Sequence, residues 1–509
     1  MKFFKVLFSK YIPVGLLLVL QILIFFVMLI EFEEYLPAFQ ILSAVAGVLI
    51  FFKIVNKKET PEYKIPWIVL ILLLPLFGIA IYLLFANQKI KPKDAKKLNQ
   101  LYNEMIQYVR PSEKEKANIS SFLGENLQLS KYLTNTSHTY GALGNDIKYF
   151  SVGEEFWEDY LIELKKAKKF IFLEYFIIEH GKMWDSIHEI LLEKISEGVE
   201  VKILYDDVGV FGKLKDSYHR KLRKEGIECY KFARLTALLS AKYNNRDHRK
   251  ITIIDGKVAY TGGINISDDY VNITNRLGHW KDTAIKIKGS AVNTLTMMFL
   301  TMFDITSKKS RDYKKYFPTH NELSERNGFI HPFGSGPIPY YKEQVGENNY
   351  INLINSAKKY VWLTTPYLII DHNLTSALRN AAKRGVDVRI ITPHTPDKKI
   401  VFMLTRSSYA YLIDAGVKIY EYMPGFIHAK MCLVDDNLAY IGSINLDYRS
   451  LTHHYECGAL LVKCPCLNDM KMDFVNTLNA SMLITSANFK LNGFVRIVAS
   501  TLQLISTMF

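Results

Sequence analysis

The sequence predicts an α/β protein with two similar layered halves that follow a set of N-terminal membrane helices. Three observations carry this. Apolar residues gather in three long blocks ahead of residue 86. Beyond them, short β-branched runs alternate with stretches of helical patterning, which argues for strands layered against helices. The second half of this soluble region then repeats the first.

The blocks are Tyr11–Ile30, Leu36–Val55 and Ile65–Phe85, each close to the twenty or so residues that cross a bilayer as a helix. More apolar blocks follow the first without a cleavage site, so membrane anchors fit better than a signal peptide. Lys2, Lys5 and Lys10 precede the first block and Glu31, Glu33 and Glu34 follow it, which predicts a cytoplasmic N-terminus. Lys53, Lys57, Lys58 and Lys64 bring the next loop back inside. The third block is followed by Lys89, Lys91, Lys93, Lys96 and Lys97, which three plain spans would leave outside. Pro75 in mid-block, with Gly78 close behind, predicts a kinked segment that dips into the leaflet and returns. The catalytic part is then cytoplasmic in a multi-pass protein of the cell membrane. The alternative is an ordinary kinked span with the catalytic part outside.

The chain divides into an anchor over 1–88, a polar, basic, helix-prone connector over 89–126, and two halves over 127–325 and 326–509. With 49% hydrophobic residues it is not a disordered protein, and its net charge of +14 favours an anionic partner, lipid or nucleic acid. The five cysteines form no framework and read as buried, reduced thiols. Cys464-Pro-Cys466 lacks the further ligands a zinc site needs.

The repeat is wide. Ala167–Leu173 matches Ala357–Leu363, Glu197–Leu204 matches Arg384–Ile391, and Gly226–Tyr230 matches Gly416–Tyr420. Each match is a short apolar strand, with helical patterning between the first two. The halves differ by an insertion: His248 lies eighteen positions after Tyr230, and His428 only eight after Tyr420. The extra piece, Ala233–Tyr243, is apolar with basic punctuation and reads either as a packed segment or as a lip at a headgroup boundary. The tail Phe494–Phe509 has the same two readings, a docked terminal helix being the simpler.

Within the repeat lies the motif around which the chain is organised. His248-Arg-Lys-Ile-Thr-Ile-Ile-Asp255 returns as His428-Ala-Lys-Met-Cys-Leu-Val-Asp435. In a strand, residues two apart share a face, so His and Lys project together. The Asp lies five beyond the Lys, and Asp255-Gly256 is a two-residue hairpin signal, so it reads as mainly structural. Each motif is followed by an echo, Gly262-Gly263-Ile264-Asn265 and Gly442-Ser443-Ile444-Asn445, and then by a carboxylate, Asp282 and Glu456.

Phosphodiester chemistry needs a nucleophile or base, an acid for the leaving oxygen, and positive charge around the equatorial oxygens. Two His-x-Lys arms facing each other about a pseudo-twofold axis supply all three. Lys250 and Lys430 flank the phosphate, and Asn265 and Asn445 donate to it. One His attacks phosphorus while the other moves the proton. Asp282 and Glu456 are candidates to orient the rings, Asp282 for His248 and Glu456 for His428. Neither region has the clustered carboxylates of a magnesium site, so no metal or cofactor is expected.

These residues resemble the phospholipase D superfamily, and within it the bacterial cardiolipin synthases. The resemblance extends over most of 65–509, through Pro66-Trp67, Leu74-Pro75-Leu-Phe-Gly78, Thr261–Ile266, Trp280-Lys-Asp282, Gly334-Ser-Gly-Pro337, Pro366-Tyr367 and Asn445-Leu-Asp-Tyr-Arg-Ser450. It implies two phospholipase D-like α/β sandwich domains sharing one cleft. The catalytic set it implies is His248, Lys250, Asp255, His428, Lys430 and Asp435, with Asn265, Asn445 and Ser443 on the substrate. It further implies a covalent intermediate on His248 and His428 as general acid/base, an order the symmetric motifs do not dictate. The reaction implied is phosphatidyl transfer between two phosphatidylglycerol molecules, with phosphatidylglycerol and other anionic phospholipids of the membrane as partners and no nucleic acid. One departure stands out: many members have Asn-Phe-Glu where this chain has His454-Tyr455-Glu456. A phospholipase D, a serine-accepting transferase, a nuclease and a non-enzymatic scaffold are the alternatives, and the anchors argue against the nuclease.

Overall fold

A computed structural model describes residues 30–57, 59–86, 90–233, 244–309, 311–320, 327–485 and 493–504, with positions 19, 20, 23, 24, 26, 27 and 487. Two compact units divide it, and residues 90–234 with 245–496 form the larger.

In the smaller unit, most of the first apolar block lies outside the described residues. The second block is a helix, Leu36–Val55, of which Pro37–Val55 is the one described helix long and apolar enough to cross a membrane. The third block is two helices. Pro61–Leu73 stops at Leu74, whose backbone leaves helical geometry (φ −137°, ψ 75°), and Pro75 opens Pro75–Phe85. A helix of 11 residues reaches only about 16 Å, half a bilayer core, so this block is no straight span. The two helices fold back on each other, with Trp67 and Tyr82 rings 5.5 Å apart. Gly78 permits the close approach, since a Cβ there would lie 2.7 Å from the Ile71 Cα.

The larger unit holds two sheets. The first runs, edge to edge, Asp146–Phe150, Ala284–Lys288, Val258–Gly262, Lys250–Ile254, Phe170–Tyr175, Glu200–Asp206 and Glu228–Phe232. The second runs Ala142–Leu143, Phe329–Ser335, Glu456–Val462, Leu438–Gly442, Met431–Val434, Tyr360–Thr364, Asp387–Pro393, Lys418–Tyr422 and Ser481–Ile484. Every segment of the sequence repeat falls on a corresponding strand, and the expected α/β class and doubled architecture are what the chain forms. Three parallel strands in each half are joined through helices such as Lys182–Ser196 and His372–Lys383, while the motif strand runs antiparallel to the first of them. This sets the start of the motif strand beside the carboxyl ends of the parallel strands, where Tyr175 pairs with Lys250.

The strands are buried on both faces, which explains their unbroken apolar runs. One core cluster draws on both sheets and on the helix Ala291–Ser307. The basic connector is less superficial than its composition suggests. Ala95, Leu98, Leu101, Tyr102 and Met105 line one face of the helix Pro92–Met105 and are buried, an amphipathic spacing hidden among lysines. All five cysteines are buried and unpaired with one another. The tail carries a helix, Gly493–Leu504. In the insertion, residues 234–243 lie outside the described set.

Candidate active site

Two strand contacts between the halves build the site. Gly425–Ile427 of the second half runs parallel to His279–Lys281 of the first, and the His428 amide donates to the Lys281 carbonyl at 2.7 Å. The counterpart is a bridge between Asp247 and Tyr455, with the His248 amide donating to the Tyr455 carbonyl at 2.8 Å. Each histidine therefore pairs with a strand borrowed from the other half. One residue further along each borrowed strand stands a carboxylate.

The consequence is a crossed arrangement. His248 Nδ1 lies 2.9 Å from Glu456, and His428 Nδ1 lies 2.6 Å from Asp282. The pairing within each half, His248 with Asp282 and His428 with Glu456, is corrected. Order along the chain places each carboxylate after the histidine of its own half, but the inter-half strand pairing delivers it to the other. A carboxylate on Nδ1 fixes the tautomer and leaves Nε2 with its lone pair for chemistry.

The two carboxylates are held differently. Asp282 accepts from the Thr283 amide at 2.8 Å and lies against Gly263, where a Cβ would come within 2.0 Å of its Oδ1. Glu456 accepts from the hydroxyls of Ser443 and Ser450, the latter at 2.6 Å. Ser443 is thus corrected from a substrate ligand to a support for Glu456, because its hydroxyl is already committed to that carboxylate and to the Cys457 carbonyl. Asn265 is also partly committed. Its Oδ1 accepts from the Ile177 amide at 3.1 Å and its Nδ2 donates to the Tyr270 hydroxyl at 2.7 Å, leaving one amide hydrogen. Asn445 is freer, and its buried Oδ1 has no hydrogen-bond partner among the described residues.

Asp255 and Asp435, counted with the catalytic set by their motif, stand at the far ends of the motif strands. Asp255 accepts from the amides of Lys168, Lys169 and Phe170 at 2.7–2.9 Å. Asp435 does the same for Lys358, Lys359 and Tyr360 at 2.6–2.8 Å. Both sit in turns with left-handed backbone (φ 55° and 50°), and each ties its hairpin to the neighbouring strand. Their nomination as catalytic residues is corrected: five residues of strand carry them away from the histidines.

Lys250 and Lys430 are buried beside the histidines, each donating to the carbonyl of the histidine two residues back, and Lys430 Nζ lies 3.0 Å from His428 Nε2. Burial pushes Lys250 down to about 8 and Lys430 down to about 7, partly offset by Glu456 and Asp282. Burial, followed by both lysines, also holds His248 and His428 well below the usual imidazole range. The lysine of each half acts on the histidine of the other, so both arms converge on one cleft. Burial lifts Asp282 to about 7. Burial thus disfavours the charged forms of both lysines, both histidines and Asp282.

Sequence reasoning missed the rings around the histidines. His428 stands among Tyr270, Trp280 and Phe426, with centroids 5.4–5.8 Å away. His248 stands among Phe176 and His454, at 4.9 and 5.4 Å. Only the spacing of Trp280 and His454, each two residues before its carboxylate, could have signalled them.

Comparison with known proteins places the chain in a family. Residues 160–293 and 350–478 match the family described as "Cardiolipin synthase, PLD-like domain", and residues 42–87 match "Phospholipase_D-nuclease N-terminal". An uncharacterized protein of Streptococcus mutans is 40% identical over 438 residues, 86% of this chain and 94% of its own. A cardiolipin synthase of Alkalihalophilus pseudofirmus is 33% identical over 468 residues, 91% of each chain, and one of a Geobacillus species is 34% identical over 481 residues, 93% and 94%. Among solved structures, the phosphatidylserine synthase of Haemophilus influenzae aligns with a TM-score of 0.56 at 15% identity, over 75% of this chain and all of that one, which is a likeness of fold.

Proposed function

The chain belongs to the cardiolipin synthase family of the phospholipase D superfamily and is a phosphatidyltransferase, and from that premise we propose that it joins two phosphatidylglycerol molecules into cardiolipin and releases glycerol. The observation that carries the reading is the crossed pair of His–carboxylate units around two buried lysines.

In the first step His248 Nε2 attacks phosphorus, a P–N bond forms, the P–O bond to glycerol breaks, and His428 gives that oxygen its proton. In the second, His428 takes the proton from a hydroxyl of the second phosphatidylglycerol, whose oxygen attacks phosphorus and releases His248. Glu456 holds His248 with Nε2 toward phosphorus and stabilises the charge that the ring acquires. Lys250 and Lys430 compensate the equatorial oxygens, and the arriving anion in turn favours the protonated lysines and His428. Incubation with pure phosphatidylglycerol should yield cardiolipin and glycerol in equal amounts; phosphatidic acid without cardiolipin would overturn the reading.

The lysines predict a pH profile. The ammonium form holds the phosphate, so the lysines' contribution is present below their values and lost as pH rises through them, while protonation of Asp282, lifted to about 7, limits activity on the acid side. The second-order rate constant is expected to decline as pH passes about 7 to about 8. An increase through that window would remove the lysines from the phosphate.

The enzyme is membrane-associated. We propose two crossings, with the hairpin of Pro61–Leu73 and Pro75–Phe85 dipping into the leaflet and the catalytic part cytoplasmic, because this keeps both lysine clusters inside. Protease added to right-side-out vesicles should spare residues 127–509; their digestion would reverse the topology.

A further inference from the structure

We propose that His248, His454 and Glu456 form an inhibitory site for a transition-metal cation of the Zn2+ type. Their ligand atoms lie within 4.8 Å of one another, the one such group among the described residues. Two imidazoles and a carboxylate are a donor set that binds zinc and leaves a fourth position open.

The local geometry gives each ligand a reason to be there. His454 and Glu456 flank Tyr455, which bridges to Asp247, and both side chains reach His248. The ring of His454 lies 5.4 Å from that of His248, and its Nδ1 is 3.5 Å from Glu456 Oε1, with no closer partner among the described residues. The side chain is 13% exposed. Its counterpart beside His428 is Trp280, at almost the same ring distance of 5.5 Å, so the other half of the cleft offers no third ligand. Around a tetrahedral zinc with bonds of about 2.1 Å, ligand atoms stand about 3.4 Å apart. Rotation of the His454 ring, whose Nδ1 is bound to nothing else, supplies the contraction.

Occupation would silence His248 by tautomer control. At rest its one ring proton sits on Nδ1, shared with Glu456, and Nε2 holds the lone pair. A metal on Nδ1 moves that proton to Nε2, which then has no electrons for phosphorus. The nearby lysines oppose a bare dication, so the site selects ions that bind imidazole strongly and rejects Mg2+ and Ca2+, which prefer oxygen.

The inference rests on the phosphatidyl-transfer reading for its activity readout, and metal binding is measured separately. The full-length protein in phosphatidylglycerol-containing micelles is titrated with ZnCl2, following heat and product together, with MgCl2 in parallel. One zinc per chain should bind as activity falls, a chelator should restore it, and magnesium should do nothing. His454→Asn should retain metal-free transfer and need at least about tenfold more zinc for half-inhibition. His454→Gln is measured alongside it, should either variant fail to fold. Equal zinc inhibition of wild type and variants, no zinc binding by wild type, or stoichiometric binding without lost activity would each overturn the site. Zinc bound by wild type but not by the variants, in a protein that forms no cardiolipin, would keep the site and reject the transfer reading.

Discussion

His248→Ala and His428→Ala should each lower phosphatidyl transfer by about 10⁴-fold or more, because nucleophile and proton carrier act as a unit and either loss stops both steps. Neither side chain belongs to the apolar core, so expression, membrane extraction and circular dichroism should remain those of the wild type. Asp255→Ala is the informative contrast within the same motif. It removes an acceptor from three backbone amides, at a cost of about 2–3 kcal/mol, and should lower the thermal midpoint while the rate per folded molecule persists. Product formation by thin-layer separation of radiolabelled lipid, alongside thermal unfolding, reads both effects. Transfer at wild-type rate in either histidine variant would reject the mechanism. A dead but fully stable Asp255→Ala would return that residue to the catalytic set.

The crossed carboxylates give the second large effect. Glu456→Gln and Asp282→Asn each remove the acceptor that fixes a ring, and losses of about 10²- to 10⁴-fold are expected from the wrong tautomer alone. The two variants should fail at different points. Glu456→Gln disables His248, so rapid acid quenching should find little phospholipid bound to protein, as in His248→Ala. Asp282→Asn disables His428, which must deprotonate the acceptor, so the adduct that does form should persist and accumulate. Adduct lost in Asp282→Asn and accumulating in Glu456→Gln would restore the pairing within each half, or exchange the roles of the two histidines. A ¹⁵N spectrum of the histidine rings separates those outcomes, since Glu456→Gln should perturb His248 and leave His428 unchanged.

Much of this site is legible in the chain because its logic is local. His248 and Lys250 lie two apart on one strand, and strand periodicity alone puts them on one face. The Asp255 carboxylate falls off that face for the same reason, and its place in a left-handed turn follows from the Asp-Gly pair. The strands of the repeat are equally visible, since β-branched runs buried on both faces leave an unbroken apolar signature. The connector helix Pro92–Met105 was harder to read, because its buried face is diluted by six charged and polar neighbours along the chain.

By itself the sequence determined the α/β class, the duplication, the twin His-x-Lys arms and the apolar anchor, each a matter of spacing between near neighbours. Only the tertiary structure decided which carboxylate serves which histidine, that Ser443 supports Glu456, and that His454 stands against His248. The contacts of the two histidines with their carboxylates and with His454 join residues 146 to 208 positions apart. The two inter-half bridges make them, and hydrogen bonding between backbones far apart in sequence leaves no periodicity to read.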